Sequence, residues 1–249
     1  MVRKNILITG ASSGLGYTMA TLYAKQGRNL ALCARRIERL ETLKASLLAI
    51  NPNIQVEIYS LDVNQHEDVF TVFKKAQHDF GQLDRIIVNA GMGKGASIGT
   101  GYFQANLQTA QTNFIAAIAQ CEAAMEIFRE QNAGHLVTIS SISAVRGFRR
   151  ALTVYAATKS GLSTLTEGIR IDVMNTPIKV SCIHPGFIKS EINEKVEKVP
   201  FMVDTETGCR AILGAIEKEK ANAFVPSYPW AILHRVLRIA PDSWIRKMS

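Results

Sequence analysis

The stretch TGASSGLG, residues 9–16, directly follows an apolar segment of strand length at Asn5–Thr9 and opens a segment of helical period. A glycine-rich turn between a strand and a helix presents backbone N–H groups at the positive end of the helix dipole, where proteins bind the pyrophosphate of a dinucleotide. Gly10 permits the tight turn, Gly14 lets the backbone approach phosphates, and Gly16 allows close packing of helix on sheet. The stretch therefore predicts the first strand, turn and helix of a dinucleotide-binding fold.

The rest of the chain continues this alternation of strand-length apolar runs and longer segments of helical period. The predicted strands are residues 5–9, 29–34, 55–60, 85–88, 135–140 and 179–183, and the predicted helices are residues 15–26, 38–49, 65–80, 103–130 and 155–174. Gly27, Gly81 and Gly134 follow helical segments, where a left-handed C-terminal cap is favoured. This order predicts an α/β fold with a doubly wound, Rossmann-like parallel sheet that helices cover on both faces.

The length and the cysteines limit the architecture and the compartment. At 249 residues the chain can bury one large core, and we expect a single domain over residues 1–249. The four cysteines stand singly in apolar segments without CxxC spacing, which favours reduced core thiols over disulfides or a metal site. Arg3 and Lys4 precede a strand that runs into the glycine turn, which leaves no room for a secretory leader. These features predict a cytoplasmic protein with no bound metal.

The chain is basic, with a net charge of +8 and a pI near 9.4. Such an excess is compatible with nucleic acid, a membrane surface or anionic ligands as partners. The basic residues are dispersed, however, and no nucleic-acid motif with interleaved aromatic residues is present. We therefore expect no nucleic-acid binding, and an anionic cofactor accounts for part of the excess.

Tyr155 precedes Lys159 by four residues in the segment YAATK, so both side chains leave the same face of a helix. An unperturbed tyrosine has a pKa near 10, which makes it a poor proton donor or acceptor at neutral pH. A cation about 5 Å away, at an effective dielectric of roughly 20, lowers that pKa by about two units. The pair is suited to proton transfer, and the glycine-rich turn upstream suggests that a hydride transfer is coupled to it.

Five motifs in this order resemble the short-chain dehydrogenase/reductase family: the glycine-rich turn, Asn89-Ala90-Gly91, Asn113, the serines within residues 140–143, and the Tyr155 and Lys159 pair. The resemblance covers residues 4–190. It implies that Tyr155 protonates a carbonyl oxygen, that Lys159 lowers the tyrosine pKa and holds the nicotinamide ribose, and that Ser141 hydrogen bonds to the same oxygen. Ser141 lies one residue further from the tyrosine than is usual in the family, so Ser143 stays the alternative. Asn113 matches the family residue that anchors a water in the proton relay.

The end of the second predicted strand indicates which nicotinamide cofactor binds. Arg35 and Arg36 stand there, and no carboxylate follows until Glu38. An acidic residue at this place would repel a 2′-phosphate, whereas a guanidinium binds one with charge assistance. NADP(H) is therefore the expected cofactor, with Arg35 the main ligand, Arg36 a possible second and Ser12 an added hydroxyl contact; the alternative is that both arginines are solvated.

By the same resemblance, Asp62 contacts the adenine amino group, Asn89-Ala90-Gly91 lies beside the adenosine ribose, and the backbone after Pro185 meets the nicotinamide carboxamide. Asp62 has an alternative role as the N-cap of the third helix. The complete set of expected cofactor-binding residues is Gly10, Ser12, Ser13, Gly14, Leu15, Gly16, Arg35, Arg36, Asp62, Asn89, Ala90, Gly91, Tyr155, Lys159, Pro185, Gly186, Ile188 and Ser190.

Residues 191–207 occupy the place of the family's substrate lid. The segment has five apolar members that indicate a partly hydrophobic pocket or plain core packing: Ile192, Val196, Val199, Phe201 and Met202. Arg146, Arg149 and Arg150 precede the tyrosine; we expect them to be solvated rather than to meet an acidic substrate. His184, at the end of a strand, is expected to be structural.

Residues 226–249 form a C-terminal extension that departs from many tetrameric members of the family, so we expect a homodimer. If the segment is helical, it carries one apolar stripe beside basic residues: Ile232, Leu233, Val236 and Leu237 next to His234, Arg235 and Arg238. Packing of this stripe on the domain or on a partner subunit is the favoured interpretation. Peripheral contact with an anionic membrane surface is the alternative.

The sequence thus predicts an NADPH-dependent reductase that interconverts a carbonyl and an alcohol on a small, partly hydrophobic organic substrate. Two alternatives are an NADP(H)-binding sensor or scaffold without turnover, and an isomerase or epimerase that retains the cofactor.

Overall fold

One parallel sheet organises the molecule. The computed structural model describes residues 2–93, 95–189 and 201–248. Within them the strands are β1 Asn5–Thr9, β2 Asn29–Ala34, β3 Val56–Ser60, β4 Arg85–Val88, β5 His135–Ile139, β6 Lys179–Pro185 and β7 Asn222–Val225. They pair in the order β3-β2-β1-β4-β5-β6-β7, and every pairing is parallel. Strand order reverses between β1 and β4, which opens a crevice at the carboxyl ends of the strands where such sheets bind ligands.

Helices connect these strands. They are α1 Gly14–Lys25, α2 Ile37–Ile50, α3 His66–Phe80, α4 Phe103–Ala110, α5 Ala116–Gln131, α6 Leu152–Asp172, α7 Thr205–Glu217, α8 Ser227–Ile239 and α9 Asp242–Met248. A 3-10 turn at Ile142–Val145 lies between β5 and α6. The doubly wound, Rossmann-like sheet in a single domain that the sequence predicts is confirmed.

Both faces of the sheet are buried under helices. Because successive residues of a strand point to opposite sides, each strand contributes to the core on both faces. In β1, Ile6 and Ile8 join a core cluster with residues of α1, α2 and α7, whereas Leu7 joins a second cluster with residues of α3, α5 and α6. A third, smaller cluster is centred on Ile142 and Trp230. This third cluster attaches the C-terminal helices to the carboxyl edge of the sheet, and it bears directly on the site.

Two local features differ from the sequence predictions. The predicted single helix at 103–130 is interrupted by a π-helical turn at Gln111–Ile115, between α4 and α5. The prediction that Gly134 is a left-handed cap is wrong: Asn132, with φ of 47°, caps α5, whereas Gly134 has φ of 152°. Gly134 has a different reason to be glycine, since a Cβ there would lie 2.0 Å from the Phe128 ring.

The predicted elements include neither α7 nor β7, although α7 carries a helical apolar pattern, with four buried members: Cys209, Ile212, Leu213 and Ile216. Residues 205–207, which the sequence analysis places in a lid, form the first turn of α7, and Asp204 caps it by accepting a hydrogen bond from the Thr207 backbone at 2.8 Å. Most of the remaining predicted lid, residues 191–200, lies outside the described residues.

Candidate active site

The glycine-rich turn after β1 has the geometry of a phosphate cradle. Gly10 and Gly14 adopt φ of 66° and 55°, which favours glycine at both positions. A Cβ on Gly16 would lie 2.3 Å from the Gly10 carbonyl oxygen, so the helix can approach the turn only with glycine there. α1 begins at Gly14 with no acidic residue in its first turn, and the Ser13 side chain does not cap it. The positive end of the helix is thereby left available to an anion.

Two arginines lie beside this turn. The Arg36 guanidinium donates from Nη2 to Ser12 Oγ at 3.1 Å and to Ser13 Oγ at 2.9 Å. The Arg35 side chain is largely exposed, and its Nη1 lies 3.9 Å from Asp62 Oδ2. Both expected phosphate ligands therefore border the crevice, but Arg36 is the one that touches the glycine-rich turn.

Asp62 follows the end of β3. Its Oδ1 accepts hydrogen bonds from the Asn64 backbone N–H at 3.0 Å and from Asn64 Nδ2 at 2.9 Å. The N-cap position of α3 is occupied by Gln65, so the alternative in which Asp62 caps that helix is wrong. Asp62 instead closes a short turn after β3, and its second oxygen faces Arg35.

The Asn89-Ala90-Gly91 segment ties β4 to the glycine-rich turn. The backbone N–H groups of Asn89 and Ala90 donate to Thr9 Oγ1 at 3.0 and 3.1 Å, and Asn89 Nδ2 donates to the Thr9 carbonyl at 2.8 Å. These bonds hold the ends of β1 and β4 together at the crevice.

Tyr155, Lys159 and Ser141 converge at the carboxyl end of β5. Ser141 follows this strand, and its side chain lies near enough to the Tyr155 hydroxyl to act on the pKa of the phenol. Lys159 Nζ lies 6.0 Å from the centroid of the Tyr155 ring and donates to the Ile139 carbonyl at 2.8 Å. Ser143 contributes its backbone N–H, which donates to Ser141 Oγ at 3.1 Å. Of the two candidate serines, Ser141 is therefore the one whose side chain acts on the tyrosine pKa.

Burial shifts the pKa values of both Tyr155 and Lys159. Burial raises the pKa of Tyr155, and the hydrogen bond with Ser141 opposes that rise. Burial also lowers the pKa of Lys159 to about 8. The expectation that Lys159 lowers the pKa of Tyr155 is wrong: that pKa is raised, because removal from water disfavours the charged form of each group.

Asn113 explains the π-helical turn. Its side chain is buried, Oδ1 accepts from the Met92 backbone N–H at 2.8 Å, and Nδ2 donates to the Met92 carbonyl at 2.8 Å. A Cβ on the neighbouring Gly91 would lie 3.2 Å from Asn113 Oδ1 and 3.6 Å from Lys159 Nζ. π-helical turns are frequent at functional sites, and this one brings Asn113 beside the lysine. Because Met92 engages both polar atoms of the carboxamide, the side chain holds the loop after β4.

The segment after β6 forms another wall of the crevice. Pro185 ends the strand, and the Gly186 N–H donates to the Val225 carbonyl at 2.8 Å. Ile188 is buried in the core and is bridged to Val203, so its side chain contributes packing. Ser190, the last of the expected cofactor-binding residues, lies outside the described residues.

His184 lies directly behind Ser141. It is buried, its Nδ1 is 3.4 Å from the Ser141 carbonyl oxygen, and its ring stacks on Phe224 with centroids 4.5 Å apart. Burial alone would raise the pKa of the nearby Cys182 thiol, but hydrogen bonding and charge from His184 bring it below its ordinary value. This pair packs inside the protein, in agreement with the structural role expected for His184.

The C-terminal extension reaches this site through Trp230. The indole is 3% exposed and packs edge-on against Phe187 and Phe201. A Cβ on Gly186 would lie 2.0 Å from Trp230 Nε1, and this buried N–H has no hydrogen-bond partner within residues 2–93, 95–189 and 201–248. Trp230 is not among the site residues predicted from the sequence. The sequence feature that could have indicated its role is the presence of a tryptophan within an otherwise aliphatic and basic segment.

Arg146 connects the 3-10 turn to the same extension. Its Nη1 donates to the carbonyl of Leu237 at 2.9 Å and to that of Ala240, and its Nη2 pairs with Asp242. The expectation that Arg146 is solvated is wrong, because it binds the unpaired carbonyls at the end of α8.

These groups can bind an anionic dinucleotide along the crevice and present a phenol, a serine hydroxyl and an ammonium at its inner end. In the described part of the chain, no cluster of three or more His, Cys, Asp or Glu residues is placed to hold a metal ion. No helix in residues 2–93, 95–189 and 201–248 combines the length and apolarity that a bilayer crossing requires.

Comparison with known proteins agrees with this geometry. Residues 4–200 match the family described as short chain dehydrogenase. An uncharacterized oxidoreductase of Mycobacterium tuberculosis is 45% identical over 249 residues, which are 100% of this chain and 98% of that relative.

Two solved structures share the fold. A short chain dehydrogenase/reductase from Burkholderia phymatum in complex with NAD has a TM-score of 0.83 at 21% identity and covers 95% of this chain and 94% of its own. The NADPH-dependent 3-quinuclidinone reductase from Rhodotorula rubra has a TM-score of 0.78 at 24% identity. The match covers 89% of this chain and 88% of the reductase.

Proposed function

Because the chain belongs to the short-chain dehydrogenase/reductase family, we propose that it is an NADP(H)-dependent enzyme that interconverts a carbonyl and an alcohol. The observation that carries the proposal is the convergence of Ser141, Tyr155 and a buried Lys159 at the crevice, with Lys159 Nζ 6.0 Å from the Tyr155 ring and bonded to the carbonyl at the end of β5. A bound nicotinamide dinucleotide supplies the hydride.

In reduction, Tyr155 donates its hydroxyl proton to the carbonyl oxygen, and Ser141 donates a hydrogen bond to the same atom. Lys159, tethered to the Ile139 carbonyl, stabilises the phenolate that remains. The raised pKa of Tyr155 keeps the hydroxyl protonated before the reaction. The C-terminal helices and Trp230 reduce access of water to this end of the crevice.

The reaction is tested by following NADPH absorbance with a panel of ketones, aldehydes and quinones. Tyr155→Phe should lower kcat by about 10²- to 10⁴-fold while NADPH binding, measured by fluorescence titration, stays at the wild-type value. A variant as fast as wild type on every converted compound would reject the mechanism. NADPH binding by a wild-type protein that converts no panel compound would favour a sensor.

The two serines provide a matched pair of variants. Ser141→Ala should lower kcat by about 10²-fold, the effect of losing one donor to a developing oxyanion. Ser143→Ala should leave kcat close to wild type, since it is the Ser143 backbone that bonds to Ser141. The reverse result would transfer the role to Ser143.

The preference for NADP(H) rests on Arg35 and Arg36, because solved structures of this fold include both NAD and NADPH enzymes. Arg36, held by Ser12 and Ser13, is pre-positioned for a 2′-phosphate, and Arg35 offers a second guanidinium. Each of Arg35→Asp and Arg36→Asp should raise KM for NADPH about tenfold or more and spare NADH. Lys218→Asp, on the exposed end of α7, controls for net charge; equal effects on both cofactors would contradict the preference.

We expect a partly hydrophobic substrate, because the third core cluster borders Ser141 through Ile142 and Trp230. The indole N–H of Trp230, which has no hydrogen-bond partner in the described part of the chain, offers one hydrogen bond to a polar atom of that substrate. In a homologous series of ketones, kcat/KM should rise with each methylene by up to about fourfold. A flat series would indicate that the substrate's chain stays in water.

The subunit arrangement and compartment complete the proposal. Exposed apolar side chains on α4, the π-helical turn and α6 favour a homodimer through these helices: Phe103, Ile115, Leu152 and Ile171. Light scattering should give twice the chain mass, and Ile171→Asp should reduce it. All four cysteines are free and buried, which supports a reducing compartment such as the cytoplasm.

A further inference from the structure

Helix α8 has two unlike apolar faces, although the sequence suggests one stripe. Its inner face packs against the 3-10 turn after β5, with Trp230 and Leu237 buried and Leu233 partly buried against them. Ile232 and Val236, from the same predicted stripe, are exposed instead. The packing of the extension on the domain therefore accounts for only half of its apolar residues.

The outer face forms a continuous exposed apolar row. Ile232, Val236 and Ile239 follow one another at helical spacing and are 62%, 44% and 84% exposed. Tyr228 precedes this row in the sequence and Trp244 on α9 follows it, and both side chains are largely exposed. Single exposed apolar residues are ordinary, but a contiguous set of this kind indicates an interaction surface.

The charges around the row identify its occupant. Arg235, Arg238, Arg246 and Lys247 are exposed on α8 and α9. Residues 226–249 contain a single carboxylate side chain, that of Asp242, which is paired with Arg146. A second copy meeting this face across a twofold axis would place arginines against arginines. An anionic lipid surface satisfies both the apolar row and the cationic surround.

We propose that the outer face of α8 and the start of α9 bind the surface of an anionic lipid bilayer. Ile232, Val236, Ile239 and Trp244 enter the boundary between headgroups and acyl chains, and Arg235 and Arg238 contact lipid phosphates. The inner face of the same helix carries Trp230 against the candidate active site, so docking would hold the substrate crevice near the lipid.

Co-sedimentation with vesicles tests this surface on the full-length chain. The protein should bind phosphatidylcholine vesicles that contain roughly one third phosphatidylglycerol, and binding should weaken with salt. Vesicles of phosphatidylcholine alone should bind much less protein. Arg235→Gln with Arg238→Gln should reduce the apparent partition constant by about fivefold for each arginine. Ile232→Ser with Ile239→Ser should reduce it by at least about tenfold.

The chain provides its own spectroscopic probe and control. It has two tryptophans, of which Trp230 is buried and Trp244 exposed, so a blue shift of emission on adding anionic vesicles should vanish in Trp244→Phe. Ile50→Ser, which removes an exposed isoleucine from α2, should bind like wild type. Thermal unfolding by circular dichroism confirms that each variant is folded.

Three results would overturn the proposal. One is no binding to anionic vesicles at low salt. Another is equal loss of binding in Ile50→Ser and in the Ile232 and Ile239 double variant. The third is a dimer that dissociates in that double variant while vesicles bind no wild-type protein, which would assign the face to a second copy of the chain.

Discussion

Lys159 is a buried cation whose ammonium group has one backbone carbonyl partner, that of Ile139 at 2.8 Å. Burial lowers its pKa from the ordinary 10.5 to about 8. At a pH between these two pKa values, Lys159 is protonated in the unfolded chain and neutral in the folded protein. The free energy of unfolding should therefore rise with pH from about 8 to 10.5, by roughly 3 kcal/mol from this group.

Urea unfolding of the protein without cofactor, at several pH values, measures this effect. The difference in unfolding free energy between wild type and Lys159→Met should grow with pH across that window and be flat below it, since other titrating groups cancel in the difference. Lys75→Met, which removes an exposed lysine of α3, should give no such slope. A flat difference for Lys159→Met would mean that the ammonium is not desolvated.

Residues whose function is tied to a local pattern were predictable from the sequence. Tyr155 and Lys159 share a helix face, and the glycine-rich turn is continuous in the chain. The contacts of Arg146 and Trp230 were not predictable, because each joins segments far apart in sequence through packing of α8. The choice between Ser141 and Ser143 also required coordinates, since both follow β5 within four residues.

At the scale of elements, Arg146 holds α8 against the 3-10 turn by bonding to the last carbonyls of the helix. A cation at a helix C-terminus is favoured by the dipole, and its hydrogen bonds are charge-assisted. Arg146→Met should lower the free energy of unfolding by about 2 kcal/mol and expose α8 and α9 to limited proteolysis.

Arg150→Met is the matched control for this prediction. Arg150 lies in the same loop but is exposed, so its loss should change stability by less than about 0.5 kcal/mol. Comparable destabilisation by the two variants would show that the clamp on α8 contributes nothing specific.

Regular elements were predictable because their periodicity is local, whereas the break at Gln111–Ile115 was not. The apolar pattern of a π-helical turn cannot be distinguished over five residues from that of an α-helix. The break contains Asn113, whose side chain bonds to the backbone of Met92, a residue distant in the sequence. The low helix propensity of asparagine indicated that Asn113 is a special position, but it did not indicate a π-helical turn.

Across the whole molecule, the site and a buried polar network lie at opposite ends of the sheet. At the amino ends of β4 and β5, Arg85 is 1% exposed and bonds to His135 at 3.0 Å, to the Tyr23 hydroxyl at 3.2 Å and to Glu217. Burial, and then the charges of Arg85 and Arg3, lower the pKa of His135 to about 2, so the imidazole is neutral. Glu217 is therefore the carboxylate that directly balances the Arg85 charge.

Glu217→Gln should lower the free energy of unfolding by about 3 to 5 kcal/mol, because it leaves a guanidinium inside the sheet without its counter-ion. Turnover per folded molecule should not change, since Glu217 lies at the amino ends of the strands, whereas Tyr155 lies at their carboxyl ends. Urea unfolding and kcat measured on the same preparation test both statements. Glu206→Gln, which removes an exposed pair with Arg210 on α7, should cost about 0.5 kcal/mol or less. If Glu217→Gln cost no more than this control, or if it slowed turnover without loss of stability, the two ends of the sheet would not be energetically separate.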